Sequence, residues 1–245
     1  MNLHPRSSKD ASVIPISNGF RLGISASSQT EYRLAQTDDY ERLPRRKFSG
    51  QPPLTFSLEA RTSSESIPGT WGFGLWNDPF GLSFGFGGNP FSLPALPNAI
   101  WFFHASSNNY LSFQNNKPAQ GFLAQTFRSP RFHPSLVPFG LTFPFSKKRA
   151  RQYLGQIIDE DSAIVSVDVT QWHRYRLDWG IGHSTFWIDE TSAFETVVSP
   201  HPPLGLVIWI DNQFAAFTQD GELKWGVETN SSEAWLEIRN INLTM

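Results

Sequence analysis

Cysteine is absent from this chain of 245 residues. Its absence excludes disulfides, thiolate nucleophiles and cysteine-held zinc, and leaves the redox compartment unmarked. Charge is sparse too, with 17% charged residues and a formal net charge of -2, so no dominant basic field is available to attract nucleic acid or an anionic membrane. The opening MNLHPRSSKD has no apolar core behind a basic start, and no segment approaches the length of a membrane span. The expectation is therefore a cytoplasmic chain without membrane contact. The six histidines, His4, His104, His133, His173, His183 and His201, are scattered without metal-ligand spacing, and no dense Asp/Asn loop marks a calcium site. Glycine and proline, eighteen each, follow no period, which excludes a collagen-like repeat.

Aromatic residues are plentiful instead, at 14% of the chain with 21 Phe and 9 Trp. Scattered Gly and Pro among apolar runs fit many short strands joined by turns, and 245 residues lie within the range of one β-sandwich core. Residues 1–18 are polar and lack alternation, which predicts an arm that crosses the domain or stays loosely ordered. Leu54, Phe56 and Leu58 alternate with polar residues and predict a strand with one face inward. Further strands are expected over Thr70–Trp76, Asn98–Ser106 and Gly121–Arg128. In Trp172–Trp179 the buried set is His173, Tyr175, Leu177 and Trp179, and Gly180 and Gly182 turn the chain into a partner strand over His183–Asp189. Leu204, Leu206, Ile208 and Ile210 fill one face of the next strand, with Val207, Trp209 and Asp211 on the other. In the last strand the apolar register shifts from Leu236 and Ile238 to Ile241 and Leu243, which predicts a bulge. One insertion, residues 129–160, breaks the pattern. Its Pro-rich stretch carries Phe132, Phe139, Phe143 and Phe145, and Ala150, Tyr153, Leu154, Ile157 and Ile158 then follow helical spacing behind a basic cluster, so one short helix is expected there.

Trp172-His173-Arg174-Tyr175-Arg176-Leu177-Asp178-Trp179, the hairpin return Phe186-Trp187-Ile188-Asp189-Glu190 and the apolar strand Pro203–Asn212 occur in an order that resembles the concanavalin A-like lectin and glucanase superfamily. The nearest resemblance is to laminarinase-type glycoside hydrolases of family sixteen, and it covers roughly residues 50 to 243. It implies an all-β fold, a two-sheet antiparallel jelly-roll sandwich, as a single domain over 1–245. Structural calcium, common in that superfamily, stays open, and no other cofactor is implied.

The resemblance also locates an absence. That family draws its catalytic carboxylates from one strand, as Glu-x-Asp-x-Glu or a bulged form, so that they flank the scissile bond. The corresponding strand here, Asn98-Ala99-Ile100-Trp101-Phe102-Phe103-His104-Ala105-Ser106, has neither Asp nor Glu. No catalytic residue of the family transfers to this chain. Asp211, Asp78 and His104 are the remaining candidates for chemistry. Against that role, Asp78 fits the turn Asn77-Asp78-Pro79, Asp211 fits the start of a loop, and His104 lacks a second ligand.

Trp71, Trp76, Trp101, Phe103, His104 and Trp209 belong to strands that the resemblance sets side by side across a concave sheet, with Asp211 at one end. Aromatic faces stack on sugar rings and on other ring-bearing ligands, and they equally fill an inter-sheet core. Period two puts Trp101 and Phe103 on one face and Ile100, Phe102 and His104 on the other, without saying which is concave. The expected function is non-catalytic binding of a saccharide or another hydrophobic, ring-bearing small molecule in an aromatic groove. The alternatives are a diverged enzyme, with relocated carboxylates or a cyclase-like apolar site, and a structural or partner-binding protein. No nucleic-acid partner is expected, and oligomeric state is left open.

Overall fold

The computed structural model describes residues 2–41, 43–79, 95–130 and 147–245. In chain order the strands begin with β1 (His4–Ser7), β2 (Ala11–Ile16), β3 (Gly19–Ile24), β4 (Leu34–Asp38), β5 (Leu54–Thr62), β6 (Thr70–Trp76), β7 (Ala99–Ala105) and β8 (Gly121–Arg128). Helix α1 (Lys147–Ile157) precedes β9 (Asp159–Ile164), β10 (His173–Trp179), β11 (Ser184–Ile188), β12 (Thr191–Thr196) and β13 (Gly205–Asp211). The chain ends with β14 (Gln213–Phe217), β15 (Leu223–Val227) and β16 (Ala234–Thr244).

Two seven-stranded antiparallel sheets result, ordered β1-β4-β13-β6-β7-β8-β9 and β12-β11-β10-β5-β16-β3-β2, with β14 and β15 as a separate hairpin. This is the two-sheet jelly-roll sandwich expected from the sequence. Alternation builds its core. Leu204, Leu206, Ile208 and Ile210 face Leu54, Phe56 and Leu58 of β5 and Tyr175, Leu177 and Trp179 of β10 in one buried cluster. Burying each such side chain contributes about 1.5 to 3 kcal/mol, so this layer dominates stability. The bulge in β16 occurs where the apolar register shifts, between Arg239 and Asn242. Helix α1 spans most of the stretch expected to be helical and buries Ala150, Arg151 and Leu154. Phe132, Phe139, Phe143 and Phe145 lie outside the described residues.

The N-terminal segment differs from the loose alternative. Its first strand pairs with β4 at the rim of one sheet, and its second pairs with β3 at the rim of the other. Sparse alternation hid these strands because rim strands bury little. Their side chains are mostly half-buried or exposed.

The outer face of the second sheet carries a continuous stack. Arg21 lies 4.7 Å from the Trp235 ring centre, Arg61 lies 5.6 Å from Trp235 and 4.9 Å from Trp172, and Arg239 lies 4.1 Å from Trp172. Glu237 bonds both Arg21 and Arg61 at 2.6 and 2.8 Å. Among the described residues no helix is long and apolar enough to cross a membrane.

Because Leu206 is fully buried, Leu206→Ala is expected to lower the unfolding free energy by about 2 to 5 kcal/mol, read from urea melts. A loss within experimental error would contradict the placement of this row between the sheets.

Candidate functional site

The first sheet has one face against the core and an opposite face, the one that the family resemblance makes concave. Register decides which residues reach the latter. Trp209 lies opposite Gly72 of β6 and Gln36 of β4, while Gly74 lies opposite Trp101 of β7. On the concave side Trp76, Trp101, Phe103 and Trp209 form a plate: Trp76 and Trp209 are parallel with centres 6.0 Å apart, Trp101 and Phe103 are 5.3 Å apart, and Phe103 and Trp209 are 5.8 Å apart. Polar tips are tied down. Trp209 Nε1 donates to Thr70 Oγ1 at 2.9 Å, Trp101 Nε1 to Gln125 Oε1 at 3.1 Å, and Trp76 Nε1 to the Tyr40 hydroxyl at 2.8 Å.

Trp71 and His104 are not part of this plate, contrary to expectation. Trp71 differs from Trp76 by five positions and His104 from Phe103 by one, so an unbroken strand turns each pair to opposite faces. Both point between the sheets, where their rings stack with centres 5.4 Å apart. Burial lowers the His104 pKa to about 4. The imidazole is therefore neutral near pH 7, and its Nδ1 has no hydrogen-bond partner in that apolar setting. A general base reaching a groove ligand needs the other face.

The plate is covered. Trp76, Trp101, Phe103 and Trp209 are only 9%, 6%, 2% and 7% exposed, and they share a buried cluster with Tyr40, Phe48, Leu154 and Ile158. Helix α1 is fastened over this side through Arg151, whose Nη1 donates to the Phe217 carbonyl at 2.6 Å, and through Gln114 Nε2, which donates to the Gly155 carbonyl at 2.6 Å.

Asp211 sits on the concave side at the end of β13 and is buried. It accepts hydrogen bonds from Thr70 Oγ1 at 2.7 Å and from the Tyr32 hydroxyl at 3.4 Å. Burial nevertheless pushes its carboxyl up to about 7. Asp78 is buried in the turn after β6 with a left-handed φ of 46°, a conformation that Asp tolerates. Its backbone carbonyl accepts from Arg45 Nη2 at 2.5 Å.

Sequence reasoning missed three polar groups on the same face. Gln36 and Asp38 lie on β4, where Gln36 Nε2 donates to Asp38 Oδ2 at 2.9 Å. Glu160 lies on β9, and burial raises its carboxyl pKa against the N–H groups of Phe113 and Gln114 and the Gln125 amide. The spacing of Leu34, Gln36, Asp38 and Tyr40 carried the signal for the first two. Asp38, Asp211 and Glu160 are widely spread. Asp38 lies opposite Val207, four positions from Asp211, a backbone offset of about 13 Å. Glu160 is four strand spacings from β13, about 19 Å. A glycosidase pair needs roughly 5 to 9.5 Å. Among the described residues, no group of three or more His, Asp or Glu is arranged to hold a metal ion. A surface depression of about 520 Å³ lies near the β14–β15 hairpin, bordered by Phe214, Val227 and Glu228. Its carboxylate is held by Ser106 Oγ and the Gly69 N–H.

No protein-family model matches this chain, and no curated protein matches it. Solved structures do resemble it. LamAcat from Zobellia galactanivorans aligns over 93% of this chain and 80% of its own at 15% identity, with a TM-score of 0.50. A LamA variant from the same organism, in complex with laminaritriose and laminaritetraose, aligns over 93% and 81% at 14% identity, also with a TM-score of 0.50. The likeness is one of fold. A GlcNAcα1-4Gal releasing endo-β-galactosidase from Clostridium perfringens scores 0.48 at 13% identity, over 93% of this chain and 53% of that one. What this chain shares with LamAcat is the fold.

Asp211 predicts a pH dependence of stability. Below about pH 4 both folded and unfolded chains hold its proton. Between about pH 4 and 7 the unfolded chain ionises there while the folded one does not, so stability falls as pH rises through that window. At about 1.4 kcal/mol per unit, the Asp211 contribution falls by on the order of 4 kcal/mol. Asp211→Asn should remove this part of the slope, seen as a flatter stability-pH curve than wild type from parallel urea melts. Parallel curves for the two proteins would refute it.

Proposed function

We propose that this chain is a non-hydrolytic binding protein that takes a saccharide, or another ring-bearing ligand, on the concave plate of Trp76, Trp101, Phe103 and Trp209. The observation that carries the reading is this cluster of aromatic rings at the middle of a sheet face whose strands β6 and β7 have no carboxylate. Apolar ring faces stack on such a surface, and the indole tips are already satisfied by Thr70, Gln125 and Tyr40, so stacking rather than hydrogen bonding from the indoles supplies the affinity. The fold shared with a protein solved in complex with laminaritriose and laminaritetraose supports a saccharide as ligand. Since the rings are nearly enclosed, a ligand must displace part of the cover around Leu154 and Ile158, at a cost that lowers its apparent affinity.

A diverged enzyme is the second reading. Its supporting observation is that Asp78 and Asp38 both act on the buried Tyr40 hydroxyl, whose pKa burial and these two charges raise. Those carboxylates are the ones to substitute if activity is found.

Titration with laminaritriose, followed by tryptophan fluorescence and calorimetry, is expected to give saturable binding without reducing-sugar release. Trp209→Ala should weaken binding at least about tenfold in a protein that still folds. Reducing-sugar release abolished by Asp38→Asn or Asp78→Asn would replace the binding reading with the enzymatic one. Absence of any saturable ligand across neutral and acidic glycans would remove the saccharide reading altogether.

A further inference from the structure

At the β1 rim of the concave sheet, Arg6 lies opposite Gln36 in the ladder, and Gln36 lies opposite Trp209. The three side chains therefore form a row across adjacent strands on one face, with Arg6 about 10 Å from Trp209. The guanidinium is close enough to two tyrosines, Tyr32 and Tyr40, to lower the pKa of both phenols, against the stronger opposing effect of burial. Yet it holds no carboxylate. The Arg6 side chain makes no hydrogen bond or ion pair among the described residues, and its Nε is buried without a partner. The paired arginines differ sharply: Arg21, Arg33, Arg61 and Arg239 each engage an acidic side chain within 3.4 Å.

Tyr40 supplies a second spare donor. Its hydroxyl oxygen accepts from Trp76 Nε1 at 2.8 Å and from Gln36 Nε2 at 3.5 Å. Both of those bonds use its lone pairs, so its own proton has no acceptor among the described residues although Tyr40 is only 3% exposed. Asp38, the nearest carboxylate on that strand, is already occupied by the Gln36 amide and the backbone N–H groups of Tyr40 and Glu41. A buried donor left without an acceptor costs on the order of 1 to 3 kcal/mol. Both donors neighbour Gln36, Arg6 across the ladder and the Tyr40 hydroxyl within 3.5 Å of the Gln36 amide, and Arg6 supplies the positive charge that an oxygen anion needs on a face that also carries Asp38 and Asp78.

We propose that Arg6 and Tyr40 receive the carboxylate of an acidic sugar ring, so that the ligand of the concave face is a uronic-acid-bearing saccharide. This deepens the binding function proposed above and rests on it. The planar guanidinium presents paired N–H donors at the spacing of two carboxylate oxygens, and the phenol O–H adds a third donor to the same group. Gln36 bridges this receptor to Trp209. One sugar ring over the plate then brings its acidic neighbour over Gln36 and Arg6. Placement also favours first contact here, because Arg6 is half-buried on a rim strand while the plate is nearly enclosed.

Calorimetric titrations of the full chain with trigalacturonate and with laminaritriose test it, using wild type, Arg6→Gln and Tyr40→Phe, each checked for folding by a thermal melt. Wild type should bind the acidic trisaccharide at least about tenfold more tightly than the neutral one, as expected for a charge-assisted contact. In Arg6→Gln the ratio of the two affinities should collapse towards unity, and Tyr40→Phe should reduce it in part. A wild type that binds both equally or prefers laminaritriose, or an Arg6→Gln protein that keeps its acidic preference, overturns this inference and leaves the binding function standing. Failure of both ligands to bind wild type overturns the two together.

Discussion

Bare backbone at Gly72 and Gly74 lets the indoles of Trp209 and Trp101 lie down on the concave sheet. A Cβ at Gly72 would stand 2.8 Å from the Trp209 ring, and one at Gly74 would stand 2.6 Å from the Trp101 Cβ, both inside van der Waals contact. The central strand therefore contributes space, and its neighbours fill it. With side chains there, the indoles would be lifted off the sheet and the parallel contact between Trp76 and Trp209 would be lost. Thr70 completes the arrangement by accepting from Trp209 and donating to Asp211, so a buried carboxyl group helps fix the angle of an aromatic ring. Packing, polarity and the suggested ligand surface all follow from that strip of glycine.

The second sheet solves the opposite problem. Its outward side has no covering helix among the described residues, and wide aromatic rings there would leave an apolar patch. Guanidinium groups laid over Trp172 and Trp235 turn that surface polar at its outer edge, and Glu237 and Glu59 neutralise much of the charge beneath. Each stacked pair contributes about 0.5 to 1 kcal/mol at such exposure. The convex face is thus kept soluble by flat cations, whereas the concave face is kept dry by a cover.

Much of this was readable in the chain itself. The row Leu204, Leu206, Ile208 and Ile210, the inward Leu54, Phe56 and Leu58, the helix near Leu154 and the irregularity in β16 follow from periodicity, because one fully apolar face leaves a clean signal. The first sheet was harder, since β6 and β7 are buried on both sides and alternation no longer separates core from site. Parity alone still forbids Trp71 from joining Trp76, and it sets Trp209 on the face opposite Leu206, Ile208 and Ile210. Arg6 escaped notice because it comes from the rim strand β1 and gains meaning only through pairing with β4, a long-range contact that no local pattern encodes. The Pro- and Phe-rich insertion pointed to a segment folded back over the groove, and of its described part Leu154 of α1 and Ile158 pack with the plate.

The route of the first strands carries a wider consequence. Within a few residues the chain passes from the rim of one sheet to the rim of the other, so a single short segment occupies the hydrogen-bonding edges of both β4 and β3. Loss of that segment would open two ladders at once, on the same side of the sandwich, each a ready template for a foreign strand. The N-terminal ribbon thus serves as a selvage: it keeps the weave from unravelling and keeps other fabric from being stitched on.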